Sequence, residues 1–314
     1  MKRIQNLLRP MAVALAFLSI NGVFTVGWAV AKTEELRSVG MKEVQAMVEK
    51  TLPPWDEKVL AIKEGGNWLD KLDFNRVFRA FGEKPEGIKF FPADAERVAT
   101  RDMIVRLDRQ AGKVRYINRE RAWQFDRHAS TKAVESKQAL EVVANLTQKL
   151  GLPKEEMSQT RVDTQMAGGA PVGSKMIKDL FEMYRVVTIS RSVNQLPVYG
   201  SQIRAAVSNE GMVQRAQMVW PAFGLSPDLT LRKRPDVVKQ TVEEIMAQDP
   251  MADIYMKAVL AYALRSQGDE DFRYVPAVIV SVYSSPTPYQ LVIPVAENQK
   301  GFQGEREMEK PEDK

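Results

Sequence analysis

The chain contains no cysteine in its 314 residues. No disulfide can cross-link it, and no thiol is present to bind a metal, act as a nucleophile or carry a lipid anchor. The fold must therefore rest on a hydrophobic core of ordinary size. Histidine is nearly as scarce, because the chain has a single one, His128. A zinc site with two or more histidine ligands is excluded, and the sequence predicts no metal and no cofactor.

Motifs of catalysis are also lacking. A Ser-His-Asp triad would have to use His128, with Asp126 two residues before it, yet the sequence has no G-x-S-x-G. It has no G-x-G-x-x-G or P-loop sequence for phosphate binding either. The run H-A-S-T that begins at His128 indicates the N-terminal cap of a helix instead. The sequence therefore predicts no catalytic residue and a protein that is not an enzyme. The alternative is a hydrolase whose Asp/Glu or Ser/Lys site has no motif.

The N-terminus has the three parts of a secretory signal. Lys2, Arg3 and Arg9 precede an apolar run at 11–31, and that run ends in the small residues Ala29-Val30-Ala31. The sequence predicts a signal peptide at 1–31 that is cleaved after Ala31, so the protein is expected to be periplasmic or secreted. The alternative is an uncleaved anchor, because 21 apolar residues are enough to span a bilayer. Contact with a membrane is predicted only if the N-terminal segment is an uncleaved anchor.

Charge gives no indication of a nucleic-acid partner. Removal of 31 residues leaves 314 − 31 = 283, and three basic residues leave with the signal. The remaining balance is 45 − 3 = 42 basic against 40 acidic residues, a net charge of +2. Because a nucleic-acid-binding domain normally has a clear basic excess, the sequence predicts no nucleic acid among the partners.

The rest of the chain reads as an α+β fold, with antiparallel sheets and packed helices. We predict N-terminal helices and a first β-hairpin at 32–125, an α+β module at 126–222, a second helix-plus-strand module at 223–297, and a disordered polar tail at 298–314. A second helix of the third region is predicted through Tyr255, Ala258 and Tyr262. Two strands are predicted after it, in which Pro276 and Pro294 indicate edge positions.

Two hairpins have the same spacing, which suggests a duplicated hairpin-plus-helix unit. Apolar and polar residues alternate around Gly112 and again around Gly211, and each glycine follows an isoleucine by eight residues. Each glycine is also followed 27 residues later by an apolar position of a predicted amphipathic helix, at Ala139 and Val238. Gly211 suits the positive φ that a hairpin loop requires.

The stretch VNQLPVYGSQIRAAVSNEGMV at 193–213 carries a resemblance to a known family. The pattern V-N-x-x-P-V-Y-G, a strand, N-E-G-x-V and a return strand resembles the FTP and PepSY modules. The residues that match are Asn194, Pro197, Val198, Tyr199, Gly200, Gly211 and Val213. The match covers about 184–220, and the helix and strands that follow resemble a second PepSY-like half. Gln195 departs from the pattern, because glycine is usual two residues before P-V.

The resemblance implies a small α+β unit of the PepSY or cystatin-like kind, as in the propeptides of thermolysin-like proteases and in bacterial envelope proteins. In those propeptides a metalloprotease domain follows; here 94 residues follow Trp220 and contain no H-E-x-x-H, so the resemblance implies the regulatory half without the enzyme. The expected function is an exported, non-catalytic binding or regulatory module. Its expected partner is a protein or peptide outside the cytoplasm, with a peptidase as the partner that the resemblance implies. A structural envelope protein anchored by its N-terminal segment is the alternative.

Overall fold

The computed structural model describes residues 40–61, 68–84, 96–109, 111–128, 130–169, 178–248, 254–267, 271–283 and 288–298. Within these ranges the α-helices are α1 Met41–Thr51, α2 Phe74–Ala80, α3 Phe125–His128, α4 Ser136–Leu150 and α5 Arg234–Met246. The strands are β1 Arg97–Ala99, β2 Met103–Asp108, β3 Lys113–Asn118, β4 Met157–Gly169, β5 Lys178–Val193, β6 Leu196–Val207, β7 Val213–Val219, β8 Leu229–Leu231, β9 Tyr255–Gln267, β10 Asp271–Tyr283, β11 Tyr289–Pro294 and β12 Ala296–Asn298. The predicted signal peptide lies outside the described residues, and so does the predicted tail apart from Asn298.

Two antiparallel sheets organise the protein. The larger sheet has the strand order β1-β2-β3-β7-β6-β5-β4, and the smaller sheet has the order β9-β10-β11; a short contact joins them into one ten-stranded sheet in the described part of the chain. They meet where β6 runs parallel to β9 over two residues, with Val198 beside Tyr262 and Tyr199 beside Ala263. A separate two-stranded ribbon pairs β8 with β12. The predicted α+β class, with helices packed on antiparallel sheets, is confirmed.

The larger sheet buries one face under α4. The helix has apolar residues at spacings of four, three and four, and this stripe is buried against the sheet: Ala139, Val143, Leu146 and Leu150. In β2 and β3, buried residues alternate with exposed or half-buried ones, as expected for strands with one covered face. The helix ends at Gly151, whose φ of 79° is the left-handed conformation that favours glycine.

The smaller sheet buries one face under α1 and α5. Valines of both helices pack in one cluster with alternate residues of β10: Val44, Val48, Val238, Val242, Val278, Val280 and Val282. Pro235 lies in the first turn of α5, where the absent N–H costs no helical hydrogen bond. The two helices therefore form with the smaller sheet a second two-layer body beside the first.

Both predicted hairpins are present, as β2–β3 and β6–β7. Gly112 and Gly211 have φ values of 60° and 77° in their turns. A Cβ added to Gly112 would lie 2.2 Å from the Cα of Pro221, so this turn has no room for a side chain. The two hairpins lie side by side because β3 pairs with β7, and their buried residues share one core cluster with those of α4. The helix that follows the second hairpin, α5, packs on the smaller sheet instead.

The predicted helix through Tyr255, Ala258 and Tyr262 is wrong, because these residues belong to β9. The prediction used apolar residues at spacings of three and four, but β9 and β10 are apolar on both faces over much of their length. Such a run fits either period, and here the thirteen cross-strand pairs between β9 and β10 decide in favour of a strand.

Two further predictions need correction. Pro276 lies in β10, which is an interior strand and not an edge. Its backbone faces β11 just beyond Ala277 and Pro294, the last pair between β10 and β11, so the missing N–H breaks no hydrogen bond of the ladder. Pro294 does lie on the edge strand β11. The run H-A-S-T does not cap a helix, because His128 ends α3 and the N-cap of the next helix, α4, is Glu135.

Candidate functional site

The turn between β5 and β6 consists of Asn194 and Gln195. Their φ values of 49° and 65° place both residues in the left-handed region, as a two-residue hairpin of type I′ requires. The departure at Gln195 therefore leaves the backbone conformation of a glycine-containing turn intact. A left-handed conformation costs an L-residue about 1–2 kcal/mol, so the surrounding structure holds this turn in place.

A cleft of about 590 Å³ lies between this turn, the segment 54–61 and the strand β9. Its walls are mainly apolar, with side chains from all three elements: Trp55, Val59, Leu196, Leu260 and Tyr262. Polar side chains also line it, namely Asp56, Lys58, Asn194 and Gln195. An apolar pocket with a few polar groups is the usual form of a binding site.

The segment 54–61 is fixed to the rest of the protein by hydrogen bonds at both ends. The Trp55 indole Nε1 donates to the backbone oxygen of Arg232 at 3.3 Å. The side chain of Asp56 accepts from the backbone N of Lys58 at 3.0 Å and so begins a short 3-10 turn, Glu57–Leu60. At the other end, the Asn194 amide donates to the oxygen of Ala61 at 3.5 Å. The cleft is therefore preformed by bonds to the connection between β8 and α5 and to the β5–β6 turn.

Tyr262 lies where the smaller sheet meets the cleft. Its side chain is fully buried, and burial raises the pKa of the phenol from 10.0 to about 12. The phenol is neutral at physiological pH, as an ordinary tyrosine is, and its hydroxyl can donate and accept hydrogen bonds.

One edge of β9 borders this cleft and has no strand beside it for most of its length. Val295 N donates to Pro276 O at 2.9 Å, so the backbone of Pro276 faces β11. Tyr262 of β9 lies opposite Pro276 of β10. The N–H and C=O of Tyr262 therefore point away from β10, towards β6. The same side of β9 carries the N–H and C=O groups of every second residue before it, Met256, Ala258 and Leu260. Among the described residues, no strand pairs with β9 at these three positions.

A buried polar network of the larger sheet and its connections lies at the junction next to the cleft. The guanidinium of Arg191, 3 % exposed, bonds to Glu156 at 2.6 Å and donates to the oxygen of Pro221 at 2.7 Å. The Trp220 indole donates to the same carboxylate at 3.0 Å. The guanidinium carbon also lies 5.1 Å from the centre of the Trp220 ring and 5.7 Å from that of Phe223. Each polar side chain of this network has a hydrogen-bond partner within the protein, so we assign the network to positioning the surrounding strands.

The residues that carry the family resemblance fall into two groups. Asn194, Pro197, Val198, Tyr199 and Gly200 lie together at the junction, where Val198 and Tyr199 form the parallel contact with β9. Pro197 lies beside the irregular register between Ser190 and Ser192, a position where a strand tolerates proline. The Tyr199 hydroxyl donates to the Gln290 amide oxygen at 2.7 Å. Gly211 and Val213 lie at the other end of the β6–β7 hairpin, away from the cleft.

Sequence reasoning missed the other members of the site. Trp55 directly follows Pro53-Pro54 in the sequence, but nothing local shows what its side chain faces. Tyr262 was assigned to a helix, and the unpaired edge of β9 depends on where β6 turns away. Both of these features are set by contacts between distant parts of the chain.

His128 does not gather a catalytic group around it in the described part of the chain. Its Nδ1 lies 2.9 Å from the backbone N of Gln124, and its Nε2 lies 4.0 Å from the Glu210 carboxylate. No group of three or more histidine, aspartate and glutamate side chains in that part could hold a metal ion. Likewise, none of the helices described there has the length and apolar character needed to cross a bilayer.

Comparisons with known proteins find only distant structural similarity. No protein-family model matches the chain, and no curated protein matches it. A crystal structure of an uncharacterized protein from Eubacterium rectale is similar over 75 % of this chain and 82 % of that one, with 10 % identity and a TM-score of 0.42. The C-terminal domain of YpeB from Bacillus megaterium is similar over 74 % of this chain and 94 % of that one, with 10 % identity and a TM-score of 0.34.

Proposed function

We propose that the protein is an exported, non-catalytic binding module that accepts an extended segment of a partner protein. The segment adds to β9 as a further strand and places side chains in the cleft beside Trp55 and Tyr262. In this mode the main-chain hydrogen bonds supply affinity, and a pocket for alternate side chains supplies specificity.

The unpaired edge of β9 is the observation that carries this proposal. A strand edge with free N–H and C=O groups is a template for pairing, and proteins usually protect it with proline, charge, a bulge or a covering segment. β9 has neither a proline nor a bulge between Tyr255 and Tyr262, and Lys257 is the single charged residue there. The edge of β11, by contrast, ends in Pro294.

The partner that we propose is a peptidase or another protein of the cell envelope. The resemblance of residues 184–220 to FTP and PepSY modules supports this choice, because such modules occur in the propeptides of thermolysin-like proteases. The signal-like N-terminus at 1–31 supports a place outside the cytoplasm. The junction residues Asn194, Val198 and Tyr199 then act as the framework of the binding site.

Panning of a phage-displayed random peptide library on the immobilised protein tests the binding mode. We expect enriched peptides to protect the amides of Met256, Ala258 and Leu260 from hydrogen exchange. Ala258→Pro removes an outward N–H without breaking a bond to β10, and it should abolish this binding, whereas Ala258→Ser should retain it. Absence of enriched peptides, or protection elsewhere, would refute the proposal.

The choice of partner has a separate test. We expect hydrolysis of a peptide substrate by thermolysin, used as a probe, to slow as the protein is added, and Ala258→Pro to remove the inhibition. If peptides bind to β9 but thermolysin keeps its full activity, the binding mode stands and a peptidase of this class is rejected as the partner.

A further inference from the structure

The exposed face of the larger sheet carries a row of arginines that the sequence order conceals. Adjacent strands place them directly opposite one another: Arg97 faces Arg106, and Arg106 faces Arg115. The row continues through Gln217 of β7 to Arg204 of β6, and through Thr188 of β5 to Arg161 of β4. We call these five arginines, Arg97, Arg106, Arg115, Arg204 and Arg161, the arginine row. All five are exposed.

Among the described residues, four of the five arginines in the row have no acidic partner. Arg161 bonds to Asp163 at 2.8 Å. Within the described ranges, the side chains of the other four form no ion pair and no hydrogen bond. Arg215, also exposed, lies on the same face two residues from Gln217 and adds to the positive charge. The small net charge of the whole chain thus conceals a strongly positive face.

The arginine row does not serve the stability of the sheet. Like charges directly opposite each other on neighbouring strands are destabilising, and the row repeats this arrangement at Arg97–Arg106 and Arg106–Arg115. The opposite, buried face of the same strands already supplies the core. A destabilising arrangement of like charges on β1, β2 and β3, continued by single arginines on β6 and β4, therefore needs a reason other than folding.

We propose that the arginine row is a binding surface for a linear acidic polysaccharide, distinct from the peptide site at β9. Neighbouring strands are about 4.8 Å apart, so Arg97, Arg106 and Arg115 present charges at this short interval, and Arg204 and Arg161 follow at about twice that distance. The row contains arginine and no lysine, and the planar guanidinium binds a carboxylate through two parallel hydrogen bonds. A polymer with one carboxylate on each sugar is complementary to this array.

The twist of the sheet favours a flexible chain over a membrane. Neighbouring strands are rotated by about 20°, so the direction of the side chains turns by roughly 80° across the four steps from β1 to β6. A flat bilayer meets only part of such a surface. A flexible polymer follows the turn and keeps contact with each arginine.

The positions between and beside the arginines favour sugar over nucleic acid. Proteins that bind single-stranded nucleic acid place aromatic side chains between the basic ones, so that bases stack on them. Here the positions within the row are Gln217 and Thr188, and Gln202 lies beside Arg204; none of them is aromatic. Amide and hydroxyl groups donate and accept hydrogen bonds, as sugar hydroxyls require.

Binding of a galacturonate oligomer to the full chain at low salt tests this proposal. We expect Arg106→Gln/Arg115→Gln/Arg204→Gln to bind the oligomer about ten-fold more weakly and with a shallower dependence on salt. The matched control is Arg79→Gln/Arg119→Gln/Arg127→Gln, which removes three exposed arginines outside the row. It should bind within about two-fold of the unchanged protein.

Parallel measurements with a thymidine oligonucleotide and with phosphatidylglycerol vesicles distinguish the sources of negative charge. Weaker binding of both than of the galacturonate oligomer supports the polysaccharide. The proposal is overturned if the galacturonate oligomer does not bind, or if the control variant loses as much affinity as the row variant. It is also overturned if oligonucleotide or vesicles bind more tightly through the row. None of these outcomes affects the peptide site, which the library panning tests separately.

Discussion

The two sheets are built in the same way on one face and in opposite ways on the other. Each covers its inner face with helices: α4 on the larger sheet, α1 and α5 on the smaller. The outer face of the larger sheet carries the arginine row. The outer face of the smaller sheet is mainly apolar around one polar row, Lys257–Ser281–Gln290. Four of its apolar side chains are 40–57 % exposed: Tyr255, Val259, Tyr283 and Val292.

The register shows that the apolar outer face is also an ordered array. Tyr255 lies opposite Tyr283, with ring centres 5.7 Å apart, and Val259 and Val292 flank Ile279 on either side. Inner faces must be apolar for the layers to pack, so they resemble each other in any protein of this class. Outer faces are free of that requirement, so their difference reflects what each sheet meets in solution.

The prediction with the largest expected effect tests whether the larger and the smaller sheet, each with its helices, unfold as one unit. Trp220 is 1 % exposed, its indole bonds to Glu156, and its backbone oxygen accepts from the Trp68 indole at 2.6 Å. Trp220→Ala should lower the free energy of unfolding by about 3–5 kcal/mol. Urea denaturation measures the loss, and hydrogen exchange should show it in both sheets.

Phe125→Ala is the control for that substitution. Phe125 is 62 % exposed, so its removal should change the free energy of unfolding by less than about 1 kcal/mol. If Trp220→Ala destabilised the larger sheet alone, the junction network would not couple the two sheets. The larger and the smaller sheet would then belong to two independent domains.

High pH should destabilise the smaller sheet through its buried tyrosines. Burial raises the pKa of Tyr262 and of Tyr274 to about 12. Because the unfolded chain ionises near the ordinary value of 10.0, the stability from each neutral phenol is complete below that pH and is lost as pH rises from 10.0 to about 12. The loss is at most about 1.4 kcal/mol per pH unit for each group.

Denaturation at a series of pH values measures this loss. Tyr262→Phe should reduce the dependence of stability on pH in this window. Burial also raises the pKa of Tyr289 in the smaller sheet and of Tyr116 in the larger sheet, so both make further contributions of the same sign. An unchanged pH dependence in Tyr262→Phe would show that the Tyr262 phenol is solvated in solution.

Relief of strain at the junction should give a smaller effect of the opposite sign. Gln195 has a φ of 65°, and glycine adopts this conformation without a steric cost. Gln195→Gly should raise the free energy of unfolding by about 0.5–1 kcal/mol, since relief of the left-handed strain exceeds the entropy that glycine loses on folding. Thermal denaturation measures the change, and a fall in melting temperature would contradict it.

The sequence predicts the larger sheet better than the smaller one, for a physical reason. In β2, β3, β6 and β7 polar and apolar residues alternate, and glycines mark the turns at Gly112 and Gly211, so local pattern specifies the hairpins. In the smaller sheet, β9 and β10 are apolar on both faces, and the alternation that separates strand from helix is absent. That is why β9 was assigned to a helix.

The candidate sites depend on register and contact, which a single sequence does not contain. Arg106, Arg115 and Arg204 each follow an inward-facing apolar residue in its strand, and this was the one local signal of the row. Their alignment requires the pairing of β3 with β7, residues about a hundred positions apart in sequence. The cleft likewise requires Trp55, Asn194 and Tyr262 to meet. The sequence supplies the net charge. In that sum, the arginine row is cancelled by acidic residues elsewhere in the chain.

The smallest expected effect separates folding from binding on the outer face of the larger sheet. Arg115 lies opposite Arg106 in the arginine row, so Arg115→Gln removes a repulsion and should raise the free energy of unfolding by about 0.2–1 kcal/mol. Arg79→Gln, on an exposed position of α2, should leave it nearly unchanged. The same Arg115 variant should bind the galacturonate oligomer more weakly, so that one substitution increases stability and decreases affinity. Equal stability of Arg115→Gln and the unchanged protein would mean that solvent screens the row completely, and the argument that the row carries a cost in folding would fail.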